Sequence, residues 1–166
     1  MDYSISHSLI NLLRGTYKVL DEDWQKNAQS IGLTQSEQHL LWIVYFEKKA
    51  PMSRIAEIGL WDLSTVMQVI KRLKAKGLVQ TIKDENDLRV SYVMVTEEGE
   101  EKIRLSSQFS YKITEYVMGY FQESEENQQF LEKMFEFHKD LNRHFHGPEF
   151  VKWLEKTGDT KITKDI

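Results

Sequence analysis

Cysteine is absent from this chain of 166 residues. Its absence excludes disulfides, thiol nucleophiles, thiolate metal sites and thiol redox sensing on this chain. Proline is scarce as well, since Pro51 and Pro148 are the only two. Between them lie long segments in which apolar residues recur every three or four positions. The sequence therefore predicts a mainly α-helical fold.

The sequence has no run of about 20 apolar residues that could span a bilayer. Its first residues also lack the basic-then-apolar order of a secretion signal. From both absences we expect a cytoplasmic protein. An overall positive charge is missing too, because the formal net charge is −4. Any affinity for nucleic acid must therefore be local.

The motifs of common enzymes and metal sites are missing. The sequence contains no glycine-rich phosphate loop, no H-E-x-x-H and no G-x-S-x-G. His138, His144 and His146 lie close together in sequence, but their spacing matches no well-formed metal site. We therefore expect no enzymatic activity, no cofactor and no metal.

Residues 63–79 predict a helix with one apolar and one cationic face. The apolar face is a stripe with three- and four-residue spacing: Leu63, Val66, Ile70 and Leu73. The other face carries hydroxyl, amide and cationic groups: Ser64, Thr65, Gln68, Lys71 and Arg72. Asp62 or Ser64 can cap the start, and Gly77 can end the helix. This order suits a helix that contacts bases first and phosphates later, although a solvated surface helix is the alternative.

The segments on either side favour the DNA-contacting interpretation. Thr34 and Glu37 form a capping-box pattern before a helix whose apolar centre, LLWIVYF, should lie in the middle of the module. A short helix that Ser53 can cap and Gly59 can end then forms a helix-turn-helix with the cationic helix. Strand-forming residues at 78–82 and 90–95 follow, joined by a polar loop, and predict a β-hairpin, or wing.

Positive charge is concentrated in this module. Residues 61–83 hold five cations against one acid, Asp62, so the segment carries +5 − 1 = +4: Lys71, Arg72, Lys74, Lys76 and Lys83. The rest of the chain is acidic. A local electrostatic footprint for nucleic acid has this form.

Long amphipathic helices are predicted on both sides of the module. One covers residues 5–31, another begins at the cap Thr96 and continues to Phe121, and a third ends at Gly147. A module of about 60 to 70 residues cannot bury all of their apolar faces, so we expect a two-fold dimer. A monomeric helical bundle with a winged-helix appendage is the alternative.

These segments give a predicted fold that is mainly α with a small β-hairpin. The predicted division of the chain is an N-terminal dimerisation helix (1–32), a winged helix-turn-helix domain (33–96), C-terminal dimerisation helices (97–146), a short amphipathic helix (147–156) and a disordered tail (157–166).

The run Asp87-x-Arg89-x-x-x-Val93-x-Val95-Thr96-x-x-Gly99 resembles the wing signature of the MarR family of bacterial transcriptional regulators. The order of the predicted elements resembles that family as far as about residue 146. Within the family, HLLWIVY, SRIAEIGLWDLST and VTEEGEE are similar to the Hpr (ScoC-type) regulators of protease production and sporulation.

The resemblance implies a homodimer that binds pseudo-palindromic double-stranded DNA. We expect a repressor, because a protein bound near a promoter excludes polymerase from the same DNA. The resemblance places the helix-turn-helix residues in the major groove: Ser64, Thr65, Gln68, Lys71 and Arg72. It also places Arg89 in the minor groove, with Asp87 steadying it, although Asp87 has a plain turn residue as its alternative. Gln68 has the paired amide groups that read adenine. A winged-helix protein-interaction module without specific DNA binding is the alternative function.

Many members of the family bind small aromatic effectors between the dimerisation helices and the winged helix. Six aromatic residues are candidates for lining such a pocket here: Tyr17, Trp24, Trp42, Tyr45, Phe46 and Phe109. Ordinary core packing is the alternative that we favour, because aromatics at helical spacing usually pack against one another.

Overall fold

The computed structural model describes residues 3–84 and 90–158, apart from the side chain of Tyr3. Within these ranges the chain forms eight helices and three strands. Their order is α1 (Tyr3–Ser30), α2 (Gln35–Glu47), β1 (Ala50–Pro51), α3 (Met52–Gly59), α4 (Leu63–Ala75), β2 (Val79–Lys83), β3 (Ser91–Val95), α5 (Glu97–Ser106), α6 (Lys112–Glu123), α7 (Glu125–His146) and α8 (Pro148–Gly158).

Helix α2 lies at the centre of the core, as its apolar sequence predicts. Leu40, Ile43 and Val44 are fully buried, and α2 packs against α1, α3, α4, α5 and β3. The predicted capping box is present, because the Thr34 side chain accepts from Glu37 N and the Glu37 side chain accepts from Thr34 N. This cap fixes the start of the central helix.

The predicted hairpin is confirmed, and it belongs to a sheet with one more strand. β2 and β3 pair antiparallel, and β1 pairs with the other edge of β3, so the strand order is β1-β3-β2. Val93 therefore lies opposite both Ala50 and Thr81. The sequence did not predict β1, because two residues are too few for a strand pattern and Pro51 indicates a turn.

The predicted helix from Thr96 to Phe121 is wrong, because it is two helices, α5 and α6. The Ser106 hydroxyl donates to the Ile103 carbonyl at 2.9 Å, near the end of α5. At the start of α6, the backbone N–H of Lys112 donates to the Asp23 carboxylate of α1 at 2.8 Å. A carboxylate from another helix thus satisfies a first-turn N–H, which allows a new helix to begin at this point.

The predicted Ser53 cap is also wrong, because α3 begins at Met52, two residues before the predicted start at Arg54. Pro51 is the N-cap at φ −70°, without a side-chain hydrogen bond. At the other end, Gly59 is the last helical residue, and Leu60 follows in the left-handed region at φ 54°. A Cβ on residue 59 would lie 2.7 Å from the Trp61 ring, so this close approach requires glycine.

Helix α8 packs back against α3 and α7. Val151 and Trp153 are buried, and the Trp153 ring lies 6.0 Å from that of Phe46 on α2. The Arg54 guanidinium of α3 forms an ion pair with Glu149 at 3.2 Å. The helix continues through Gly158, two residues past its predicted end, and residues 159–166 of the predicted tail lie outside the described residues.

The helices at the two ends of the chain leave much apolar surface exposed. α6 has no buried residue, and α7 buries only Leu131. In the first half of α1, Leu9 is 55% exposed and Leu12 is 70% exposed. No helix within residues 3–84 and 90–158 is both long and apolar enough to cross a membrane.

Candidate nucleic-acid interface

Helix α4 is held against the core along one side. Its buried residues are Val66, Val69, Ile70 and Leu73. The prediction that Leu63 belongs to this face is wrong, since Leu63 is 50% exposed. Leu63 lies in the first turn, at the edge of the buried face of the helix. Val69, which the predicted stripe did not include, is buried on that face. The helix ends at Ala75, and two residues later Gly77, at φ +72°, turns the chain toward β2.

Asp62 caps α4 and holds both hydroxyls of its first turn. One carboxylate oxygen accepts from Ser64 Oγ at 2.5 Å and from Thr65 N at 2.8 Å. The other accepts from Thr65 Oγ1 at 2.7 Å. These hydrogen bonds, with that from Ser64 first, hold the pKa of Asp62 well below its usual range. Because a hydroxyl has one proton, Ser64 and Thr65 present only acceptor lone pairs to a ligand in this arrangement.

Gln68 and Lys71 face outward from the middle of α4. Both side chains are exposed. Across the part of the chain that the structure describes, neither forms an ion pair or a side-chain hydrogen bond. Their amide and ammonium groups are therefore available to an external partner, as a side chain that contacts a base edge or a phosphate must be.

Glu37 ties the last turn of α4 to the start of α2. Its side chain is 1% exposed and accepts from Lys76 Nζ at 2.8 Å. Arg72 Nε lies 3.4 Å from its other oxygen. Burial disfavours the Glu37 carboxylate, but hydrogen bonds from Lys76 and from Thr34 N outweigh it and lower its pKa. Two cations of the predicted basic face thus have a partner inside the protein.

Sequence reasoning identified Glu37 only as half of a capping box. Its second role depends on cations 35 and 39 residues further along the chain, at Arg72 and Lys76, and no spacing rule connects such distant positions. Lys74 is engaged as well, since its Nζ donates to Thr81 Oγ1 of β2 at 2.8 Å. The outward cationic surface of α4 is therefore narrower than the sequence predicts, and Lys71 lies at its centre.

The wing residues Asp87 and Arg89 lie outside the described residues. The strands before and after them are paired, with Lys83 opposite Ser91, and Asp84 N donates to Val90 O at 3.0 Å. The roles of Asp87 and Arg89 stay predictions.

The six aromatic candidates for an effector pocket fall in several places. Trp42 stacks on Phe46 at 5.5 Å and packs edge-on to Tyr45 at 6.0 Å. Trp24 donates from Nε1 to Gln38 Oε1 at 2.7 Å. Tyr17 is 65% exposed on α1, and Phe109 packs against the core. The structure therefore brings Trp42, Tyr45 and Phe46 together but not all six, and the pocket stays a prediction.

Residues 33–91, from two residues before α2 to the first residue of β3, match the MarR family. Over 152 residues the chain is 32% identical to the HTH-type transcriptional regulator Hpr of Halalkalibacterium halodurans, in an alignment that covers 90% of this chain and 78% of that protein. A second relative of the same name, from Geobacillus thermodenitrificans, is 36% identical over 96 residues. That alignment covers 58% of this chain and 48% of the relative.

The fold is also similar to solved structures. One is a mutant of MarR from E. coli complexed with operator DNA, with a TM-score of 0.67 and 15% identity over 82% of this chain and 96% of that one. Another is Bordetella bronchiseptica BpsR, whose DNA binding is regulated by 6-hydroxynicotinic acid. Its TM-score is 0.63, with 20% identity over 79% of this chain and 98% of that one.

The predicted winged helix-turn-helix fold agrees with these matches, and the curated relatives are named as transcriptional regulators rather than enzymes. The long Hpr alignment extends beyond the helix-turn-helix to nine-tenths of the chain. The chain therefore belongs to the MarR family and is a DNA-binding transcription regulator of the winged helix-turn-helix type.

Proposed function

We propose that this regulator acts in the cytoplasm as a homodimer that binds a two-fold symmetric operator and represses the adjacent promoter. Each protomer inserts α4 into the major groove, and the two helices reach successive grooves about 34–36 Å apart. A dimer bound over a promoter excludes polymerase from the same DNA, which makes repression the simplest outcome.

The observation that carries the proposal is the outward face of α4. Val66, Val69, Ile70 and Leu73 fix the back of the helix in the core, while Gln68 and Lys71 remain exposed on the front. An amide can pair with both N6 and N7 of adenine, so we assign base readout to Gln68. We assign Lys71 to phosphate or guanine.

The other predicted contacts have narrower roles. Ser64 and Thr65 can accept hydrogen bonds from base amino groups while Asp62 holds their protons. Arg72 is 47% exposed and contacts Glu37 through Nε, so its Nη groups are the ones that can reach a phosphate. Arg89, with Asp87 beside it in sequence, is assigned to the minor groove on the family resemblance, where an arginine responds to groove width.

Exposed apolar residues support the dimer. They lie on the helices at both ends of the chain: Ile5, Leu9, Leu12, Tyr116, Phe137 and Phe145. Large contiguous apolar patches are rare on the surfaces of monomeric proteins. A two-fold axis would bury these helices against their copies and would set the distance between the two α4 helices.

The test is the salt dependence of operator binding for Lys71→Ala. The wild-type dimer should lose affinity linearly in log–log form as salt rises, because phosphate contacts release counterions. Lys71→Ala should make the slope shallower by about one counterion per subunit. Lys152→Ala on α8 is the matched control, since it removes an exposed lysine from another helix, and its slope should equal that of wild type.

If Lys71→Ala and Lys152→Ala have the same slope as wild type, the assignment of α4 to the DNA is wrong. If wild type prefers no duplex sequence, the chain is instead a winged-helix protein-interaction module.

A further inference from the structure

Two large apolar side chains are exposed on the first two turns of α4. Leu63 is 50% exposed and Met67 is 54% exposed. They are four residues apart, so they are neighbours on one side of the helix. A single exposed leucine or methionine on a protein surface needs no explanation. A pair on the helix that we assign to the major groove is a different case, because that surface is covered when DNA binds.

Both residues lie beside the polar contacts proposed for DNA. Met67 lines a groove of about 310 Å³ between α3, α4 and the hairpin, together with Met52, Ile70, Lys71, Lys74, Thr81 and Ser91. Two ammonium groups thus border the apolar surface. A cationic border favours an anionic partner over an apolar protein surface, and duplex DNA places phosphates at the edges of its groove.

The neighbouring polar groups leave the first turn short of hydrogen-bond donors. The hydroxyl protons of Ser64 and Thr65 are held by Asp62. What the first two turns offer to a base edge is therefore acceptor lone pairs, the Gln68 amide, and the apolar side chains of Leu63 and Met67. In the major groove, the C5-methyl group of thymine is the apolar feature that distinguishes one base pair from another.

We propose that Leu63 and Met67 recognise thymine C5-methyl groups in each operator half-site. This inference rests on the proposed function, because it needs α4 in the major groove. It adds a chemical prediction for the operator. With Gln68 reading adenine, the half-site should have A·T pairs opposite the first two turns of α4, at positions where the methyl group and not only the base pair contributes to affinity.

The experiment replaces individual thymines of a selected operator with deoxyuridine. This change removes one methyl group and keeps the base pairing and the O4 acceptor. We expect wild type to bind about threefold to fourfold more weakly for each contacted methyl group. Each replacement removes apolar burial equivalent to about one methylene group. Changing the same position in both half-sites should weaken binding about tenfold.

The double variant Leu63→Ala/Met67→Ala should bind the thymine and deoxyuridine duplexes equally. Both residues are exposed, so the variant should fold, and its circular dichroism spectrum checks this. Leu154→Ala is the matched control. It removes an exposed leucine from α8, which is assigned neither to DNA nor to the dimer, and should retain the wild-type sensitivity to deoxyuridine.

Three results would overturn parts of this account in different ways. A wild type that binds a two-fold operator without sensitivity to deoxyuridine at any thymine refutes methyl recognition and leaves the proposed function intact. A double variant that retains the sensitivity refutes the assignment to Leu63 and Met67. A wild type without any specific duplex refutes both this inference and the proposed function.

Discussion

Helices α2 and α6 have similar lengths, 13 and 12 residues, and very different surroundings. α2 buries six side chains, whereas α6 buries none. α2 belongs to a winged helix-turn-helix module whose core it forms with α3, α4, α5 and β3, and to which α1 adds Ala28 and α8 adds Trp153. α6 belongs, with α1 and α7, to a region whose apolar side chains are exposed in a single protomer. The first region buries its apolar side chains within one protomer, whereas the second exposes apolar side chains that we propose to pair between two protomers.

The largest expected effect comes from a variant that disrupts the exposed apolar surface of α1. The double variant Leu9→Glu/Leu12→Glu places two carboxylates on the exposed apolar face of α1, where burial between protomers would desolvate them. We expect a monomer that binds the operator two to four orders of magnitude more weakly, because each half-site must then be bound independently. Sedimentation equilibrium gives the mass, and fluorescence anisotropy with labelled operator gives the affinity.

The control for that variant is Gln25→Glu, which adds a carboxylate at an exposed position of the same helix. It should remain dimeric and bind as wild type does. A Leu9→Glu/Leu12→Glu variant that is still a dimer would show that α1 is not part of the interface.

The next largest effects compare the same leucine-to-alanine substitution in the two regions. Leu40 is fully buried in α2, and Leu12 is 70% exposed in α1. Leu40→Ala should lower the free energy of unfolding by about 2–5 kcal/mol, because it leaves a cavity in a packed core, and should not change dimer affinity. Leu12→Ala should instead raise the dimer dissociation constant by roughly tenfold to a hundredfold, since it removes apolar area from two copies.

Urea unfolding and sedimentation measure the two quantities. The comparison fails if Leu12→Ala destabilises the protomer as much as Leu40→Ala does while dimer affinity is unchanged.

The smallest expected effect concerns His39, which lies where α1 contacts the winged helix-turn-helix module. The His39 ring on α2 is 5.2 Å from the Trp24 ring of α1 and 5.2 Å from the Trp61 ring next to the α4 cap. Burial lowers the pKa of His39 from 6.5 to about 4. Its neutral form therefore supports the fold fully above pH 6.5, and this support is lost as pH falls from 6.5 toward 4. Between pH 7 and pH 5 the loss should be about 2 kcal/mol.

His39→Gln should remove this part of the pH dependence in urea titrations at pH 7 and pH 5. His138→Gln is the control, because His138 is an exposed histidine on α7. If His39→Gln and wild type lose equal stability between the two pH values, His39 is not the group responsible.

Local signals in the sequence were enough to predict much of the fold. The Thr34 capping box, the apolar centre of α2 and the alternating hairpin residues each depend on neighbours within a few positions, and each is present. The sequence was misleading where distant groups decide the structure. The break before α6 depends on Asp23, 89 residues from Lys112, and the two-residue strand β1 exists only because β3 lies beside it.

The candidate site shows the same limit. Helical periodicity was enough to predict which face of α4 points outward, so Gln68 and Lys71 are exposed as expected. Periodicity could not show which of the polar groups already have partners within the protein. Asp62 holds Ser64 and Thr65, and the buried Glu37 contacts Arg72 and Lys76.

Selection of bound sequences from a pool of random duplexes by the wild-type protein tests the central claim most directly. The account predicts a two-fold symmetric motif whose half-site centres are about 10 base pairs apart, as two α4 helices in successive major grooves require. Gln68→Ala should alter the preference at one position in each half-site. Bound sequences without a symmetric motif, or a motif that Gln68→Ala leaves unchanged at every position, would contradict recognition by paired α4 helices.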